Sequence, residues 1–133
     1  MSTTYIPTPL RRLVEQRAKY QCEYCLLPAN LSFFSHEIDH IIAEKHGGRT
    51  EANNLAHACW RCNRYKGTDL GSFDPKTGDF CFLFNPRTQK WAEHFQVNDF
   101  LILGLTPIAR TTVKLLQWNN NERIAERKRL QQI

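Results

Sequence analysis

Residues 22–67 contain five spaced signatures: Cys22-Glu23-Tyr24-Cys25, Glu37-Ile38-Asp39-His40-Ile41-Ile42, Gly47-Gly48, Asn54-Leu55, and Cys59-Trp60-Arg61-Cys62-Asn63-Arg64-Tyr65-Lys66-Gly67. Each Cys-x-x-Cys turn presents two thiolates on one side, and two such turns can close a tetrahedron around Zn²⁺. Four sulfur ligands leave no open coordination position. Cys22, Cys25, Cys59 and Cys62 therefore point to a structural ion. The 33 residues between the knuckles, 26–58, exceed the usual loop in such motifs, so the metal would pin the base of an inserted element. In a domain this small, such a staple supplies a large part of the folding free energy. The fifth cysteine, Cys81, lies in Phe80-Cys81-Phe82 and reads as a small core residue. Two complete pairs make His57 unnecessary as a ligand.

The insert carries the reactive side chains. Hydrolysis of a phosphodiester needs an activated water, a cation on the phosphate and stabilisation of the leaving oxygen. A neutral imidazole is the natural base near pH 7. A carboxylate and an amide oxygen are hard donors suited to Mg²⁺ or a similar ion. Asp39, His40 and Asn63 form a sufficient set if the fold brings them together, and the knuckles supply that proximity, because Asn63 adjoins Cys62. Successive residues of a regular strand face opposite ways, so Asp39 and His40 can share a site only at a strand end, a bulge or a strong twist. Glu37 shares a strand face with Asp39 and reads as a solvated carboxylate.

The combination resembles the HNH endonucleases, the ββα-metal type, over Cys22–Gly67. The resemblance implies His40 as general base and Asp39 and Asn63 as ligands of a catalytic divalent ion. It implies Asn54 as the residue that holds the metal loop and orients the base. It also implies a product with a 5′-phosphate. The third motif position is Asn63, not His, and an oxygen ligand there favours Mg²⁺ or Mn²⁺. Arg61, Arg64 and Lys66, on or beside the short helix that carries Asn63, and His46, beside Gly47-Gly48, are expected to reach nucleic acid. Such phosphate contacts give affinity and salt dependence without sequence choice.

The rest of the chain fits that expectation. Its 133 residues carry 18 Lys+Arg against 13 Asp+Glu, net +5, with a pI near 9.1. The charge is concentrated at the ends, +3 over residues 1–21 and +4 over 107–133, with −1 over each of the two middle segments. A basic chain suits a polyanionic partner. Hydrophobic residues at 41% and charged residues at 23% are enough for a packed core. No apolar run approaches the ~20 residues of a membrane helix, and residues 1–12 lack an apolar signal core, so a cytoplasmic protein is expected, with no membrane partner.

Punctuation predicts the elements. Thr8-Pro9 starts a helix through Lys19. Leu31–Phe34 and Glu37–Ala43 read as strands, and Asn53-Asn54 precedes a helical stretch through Lys66. Residues 73–86 read as a hairpin, Val97–Leu105 as one strand, and Thr106-Pro107 as the start of an amphipathic helix. A final basic helix begins near Glu122, with Arg123, Arg127, Lys128 and Arg129 as a basic face. The expectation is an α+β protein: a zinc-stapled ββα nuclease core with an N-terminal helix over 1–70, and a hairpin-plus-helices appendage over 71–133. The expected function is metal-dependent endonuclease cleavage of DNA, with RNA not ruled out and with low sequence specificity or nicking. Its main rival is a non-catalytic zinc-stapled nucleic-acid-binding module, and a second is a thiol redox protein.

Overall fold

The computed structural model describes residues 4–131. They form an α+β structure that divides into two compact units. The first unit comprises the residues up to Leu70 together with Asn85–Arg87, and the second comprises Gly71–Phe84 and the residues from Thr88 onward. No helix among the described residues is long and apolar enough to cross a membrane.

The first unit is built on a two-stranded antiparallel sheet, β1 (Glu37–His40) and β2 (Leu55–Ala58), flanked by α1 (Thr8–Arg17) and α2 (Trp60–Lys66). Asp39 pairs with Ala56 and His40 with Leu55. The β1–β2–α2 order is the ββα unit that the resemblance implies. Val14 of α1 packs with Ile6 and Leu55, and Leu10 and Ile38 close over them. Arg17, in the last turn of α1, donates to the Ala52 and Leu55 carbonyls at 2.9 and 2.8 Å, fixing the helix to the entry of β2.

Several elements differ from expectation. Leu31–Phe34 is not a strand: a 3₁₀ turn over Ala29–Leu31 leads into an irregular segment. The partner of β1 is instead Leu55–Ala58, within the stretch expected to be helical. Leu-Ala-His-Ala has modest strand propensity, and complete burial against α1 overrides it. Helix α2 starts only at Trp60, where the Cys59 thiol accepts from the Cys62 N–H at 3.4 Å and caps it. Helix α1 stops two residues early, because Lys19 and Tyr20 turn into the left-handed region.

The second unit holds two hairpins, β3 (Gly71–Phe73) with β4 (Phe80–Phe82), and β5 (Phe95–Asn98) with β6 (Leu101–Gly104). The segment expected as one strand over Val97–Leu105 is thus part of a hairpin that reverses at Asp99, whose φ is +55°. Helix α3 (Trp91–His94) precedes β5; α4 (Pro107–Leu115) and α5 (Asn121–Leu130) follow. Thr106 caps α4 and Asn120 caps α5, each through its side-chain oxygen. Helix α4 crosses β6 so closely that a Cβ on Gly104 would lie 2.6 Å from the Arg110 nitrogen. Phe84, Phe95 and Trp118 form the aromatic centre, with ring centroids 5.2 and 4.8 Å apart. Cys81 is half-buried on β4 and not a core residue, because its strand belongs to a hairpin open on one side. The basic face expected on α5 is partly structural. Arg123 is buried and donates to the Leu116 carbonyl, and Arg127 donates to the carbonyls of Phe100 and Trp118.

Asp74, 1% exposed, organises the first hairpin turn. It accepts from the Lys76 N–H and the Thr77 hydroxyl, and Arg110 of α4 grips both its oxygens at 3.0 and 2.7 Å. The Arg110 guanidinium holds this carboxyl well below the usual carboxylate range. A depressed carboxylate contributes stability that is present above its ordinary pKa of about 4 and is lost as pH falls toward the depressed value. Asp74→Asn is therefore expected to lower the melting temperature at pH 7, with the gap to the wild type narrowing below about pH 4. Calorimetry across that range checks it; a gap that stays constant into acid contradicts the assignment.

Candidate functional site

The four cysteine sulfurs of Cys22, Cys25, Cys59 and Cys62 lie within 4.8 Å of one another, all buried. Tetrahedral Zn–S bonds of about 2.3 Å place sulfurs about 3.8 Å apart; Cys25 Sγ and Cys59 Sγ are 3.7 Å apart. The Cys25 and Cys62 N–H groups point at Cys22 Sγ and Cys59 Sγ, at 3.3 and 3.4 Å, as they do around thiolates. Burial and the neighbouring sulfurs push the Cys22 thiol well up in pKa, so four bare thiolates could share this space only with a cation among them. The donor set fits a structural Zn²⁺. His57 stays outside it, with its Nδ1 3.1 Å from the Gln21 carbonyl.

Two links run from the sulfur cluster to the reactive strand. Tyr24, inside the first knuckle and buried, donates from its hydroxyl to Asp39 Oδ2 at 2.7 Å. Burial and the Asp39 charge push this phenol well above its ordinary pKa, so it remains a donor. Helix α2, started by Cys59, carries Asn63 and Lys66 to the same strand. Lys66 is 2% exposed and its ammonium lies 3.1 Å from Asp39 Oδ2 and 3.3 Å from Oδ1. It also donates to the His40 and Ile41 carbonyls at 3.1 and 3.0 Å. Lys66 is thus not a phosphate contact, contrary to expectation: its three protons are fully engaged inside the protein. Burial raises the Asp39 carboxyl, while the Lys66 ammonium and the Tyr24 hydroxyl oppose that shift.

A cleft of about 650 Å³ opens beside this arrangement, lined by Glu37, Asp39, His40 and Asn63 among others. Asp39 and His40 therefore share one cleft, as the sequence required, because His40 is the last residue of β1 and the chain bends after it. The Asn63 amide donates to Glu37 Oε2, so Glu37 belongs to the site and is not merely solvated. His40 Nε2 lies 2.9 Å from the Thr50 hydroxyl. Asn54 zips the loop between the strands: it accepts from the Ile42 N–H at 2.9 Å and donates to the Ile42 and Arg49 carbonyls at 3.0 and 2.9 Å. A Cβ on Gly48 would lie 1.7 Å from the Ile42 carbonyl oxygen, so only glycine fits inside that loop.

Hard oxygen donors thus line one cleft: two carboxylates and an amide, next to an imidazole. Asp39 Oδ1 accepts from the Lys66 ammonium at the long distance of 3.3 Å, and a carboxylate oxygen has a second lone pair to offer. Oxygen donors of this kind suit a hard divalent cation. The remaining expected contacts are peripheral. Arg64 is exposed, Arg61 stacks its guanidinium 5.0 Å over the Trp60 ring, and His46 is exposed with Nε2 3.1 Å from the Thr68 carbonyl. Tyr24 and Thr50 were missed in the sequence. Tyr24 lies inside a knuckle, where its type has no required role, and Thr50 is ten residues from the histidine it touches.

Removing one member of a buried ion pair leaves the other uncompensated, at a typical cost of about 3–5 kcal/mol. Lys66→Met is expected to destabilise the zinc-loaded protein by about that much in urea titrations at pH 7. Replacing both partners, Lys66→Met with Asp39→Leu, recovers part of the loss. A single variant within about 1 kcal/mol of wild type would show that the pair is not a structural tie.

Residues 22–69 match the family model described as HNH endonuclease. No curated protein and no solved structure matches the chain. The matched segment spans both cysteine pairs, the Asp39-His40 strand and helix α2 as far as Asp69, so these elements are what the chain shares with that family model.

Proposed function

We propose that the protein is a divalent-metal-dependent endonuclease that hydrolyses phosphodiester bonds of DNA, one strand at a time. The observation that carries this is the convergence of Glu37, Asp39, His40 and Asn63 on one cleft inside the HNH domain. Asp39 and Asn63 are the proposed ligands, with Glu37 orienting Asn63. A divalent ion there supplies polarisation of the scissile phosphate and offsets charge on the leaving oxygen. The residues of the chain do the rest. When the Thr50 hydroxyl accepts from the His40 Nε2–H, the ring's lone pair sits on Nδ1, which takes the proton from the attacking water. Asn54 keeps the loop closed so that Thr50 stays in place. Arg61, Arg64 and His46 are proposed to contact flanking phosphates. The chain is proposed to act in the cytoplasm.

One observation favours the rival, a zinc-stapled binding module without catalysis: the Lys66 ammonium already neutralises Asp39. Cleavage separates the two. With Mg²⁺ or Mn²⁺, the zinc-loaded wild type is expected to nick supercoiled plasmid. His40→Ala is expected to be slower by at least about a hundredfold with zinc content and fold unchanged. Full cleavage by the variant removes His40 as the base, and no cleavage by a folded wild type in either metal favours the binding module.

A further inference from the structure

Four side chains outside the cleft form a continuous cluster whose rings meet edge to face. Phe33 is 91% exposed and Phe34 50% exposed. Their ring centroids are 4.8 Å apart at 84°, and Phe34 meets Trp60 at 5.0 Å and 75°. Arg61 lies over the Trp60 ring, 5.0 Å from its centroid. The rings are held by structure. The Ser32 hydroxyl donates to the Phe34 carbonyl at 2.7 Å, and Trp60 is the first residue of α2. Two adjacent phenylalanines presented to water are an unfavourable arrangement for a merely solvated turn, and exposed apolar clusters of this kind mark binding surfaces.

The place of the cluster indicates its occupant. Trp60 is one helical turn before Asn63 on α2, so the two are neighbours along that helix. Phe34 is two residues before His36, which lines the cleft with Glu37. The rings are therefore carried by the same segments, β1's lead-in and α2, that line the cleft. In a duplex the faces of the bases are covered by their neighbours, and only edges and backbone are offered to protein; an unpaired base offers its face. Aromatic rings beside arginines match that chemistry, with stacking for the base and cationic charge for its phosphate. A second copy of this chain is the poorer fit, because an isologous contact over so small a patch brings the two copies' Arg61 and Arg64 together.

We infer that Phe33, Phe34 and Trp60, with Arg61, form a stacking platform for unpaired bases, so that the substrate class is single-stranded or locally unpaired nucleic acid next to the scissile phosphate. The position of that phosphate rests on the nuclease reading; the platform itself is tested by binding. The experiment is fluorescence anisotropy of the zinc-loaded full chain, with no other divalent ion, on a labelled short oligothymidylate and on a labelled duplex of the same length. Phe33→Ala/Phe34→Ala changes only exposed rings, and circular dichroism with zinc analysis checks its fold. The expected result is a loss of at least about tenfold in affinity for the single strand, against less than about twofold for the duplex. Equal losses on both, or no loss on the single strand, overturn the platform. Unchanged oligonucleotide affinity with a dimer converted to a monomer in sedimentation also overturns it and assigns the rings to self-association. A wild type that cleaves neither substrate with Mg²⁺ or Mn²⁺, but shows the selective loss, keeps the platform and removes the nuclease reading.

Discussion

Convergence of four sulfurs is the constraint on which the first unit depends. Two short knuckles 33 residues apart in sequence meet at one point, and the elements that bear chemistry are attached to that point. Tyr24 reaches from inside one knuckle to Asp39. Cys59 both joins the cluster and caps the helix that carries Asn63 and Lys66. Apolar side chains of this unit gather around Val14 and Leu55. A metal tie adds cohesion to them, since a small domain buries little apolar surface for its size.

Around that tie the site is held by polar contacts inside the protein. Lys66 is the clearest case: one ammonium binds a carboxylate and two successive carbonyls at the end of β1, so it fixes both the charge of Asp39 and the course of the chain through His40. Buried pairs of this kind contribute little net stability compared with apolar packing, but they specify a geometry. Asn54 does the same for the loop that returns from β1 to β2, using both ends of its amide. The result is a cleft whose polar groups are set by partners behind them: Tyr24 and Lys66 behind Asp39, and Thr50 behind His40.

Spacing made the knuckles and the Asp39-His40 pair legible in the sequence, because metal coordination and strand ends leave regular patterns. The capped start of α4 was legible for a similar reason: Thr106-Pro107 is a local signal that acts within one turn. What the sequence hid was decided at longer range. Leu55–Ala58 has the composition of a helix and becomes a strand because β1 pairs with it. Lys66, Arg123 and Arg127 looked like solvent-facing charges, yet each turns inward to meet carbonyl oxygens left over by short elements and turns. Charge counting assigns such residues to the surface, because nothing in a sequence marks where unpaired carbonyls will gather.

The central claim is that the sulfur cluster, when it holds its metal, organises the reactive strand and helix. Amide hydrogen exchange on the zinc-loaded and zinc-stripped protein tests it most directly. The account predicts that removing zinc releases the amides of Ile38, Asp39 and His40 together with those of Cys62–Lys66, because β1 and α2 lose their common anchor. Protection of those amides unchanged after the metal is gone would contradict it, and would place the cohesion of the site in the apolar core alone.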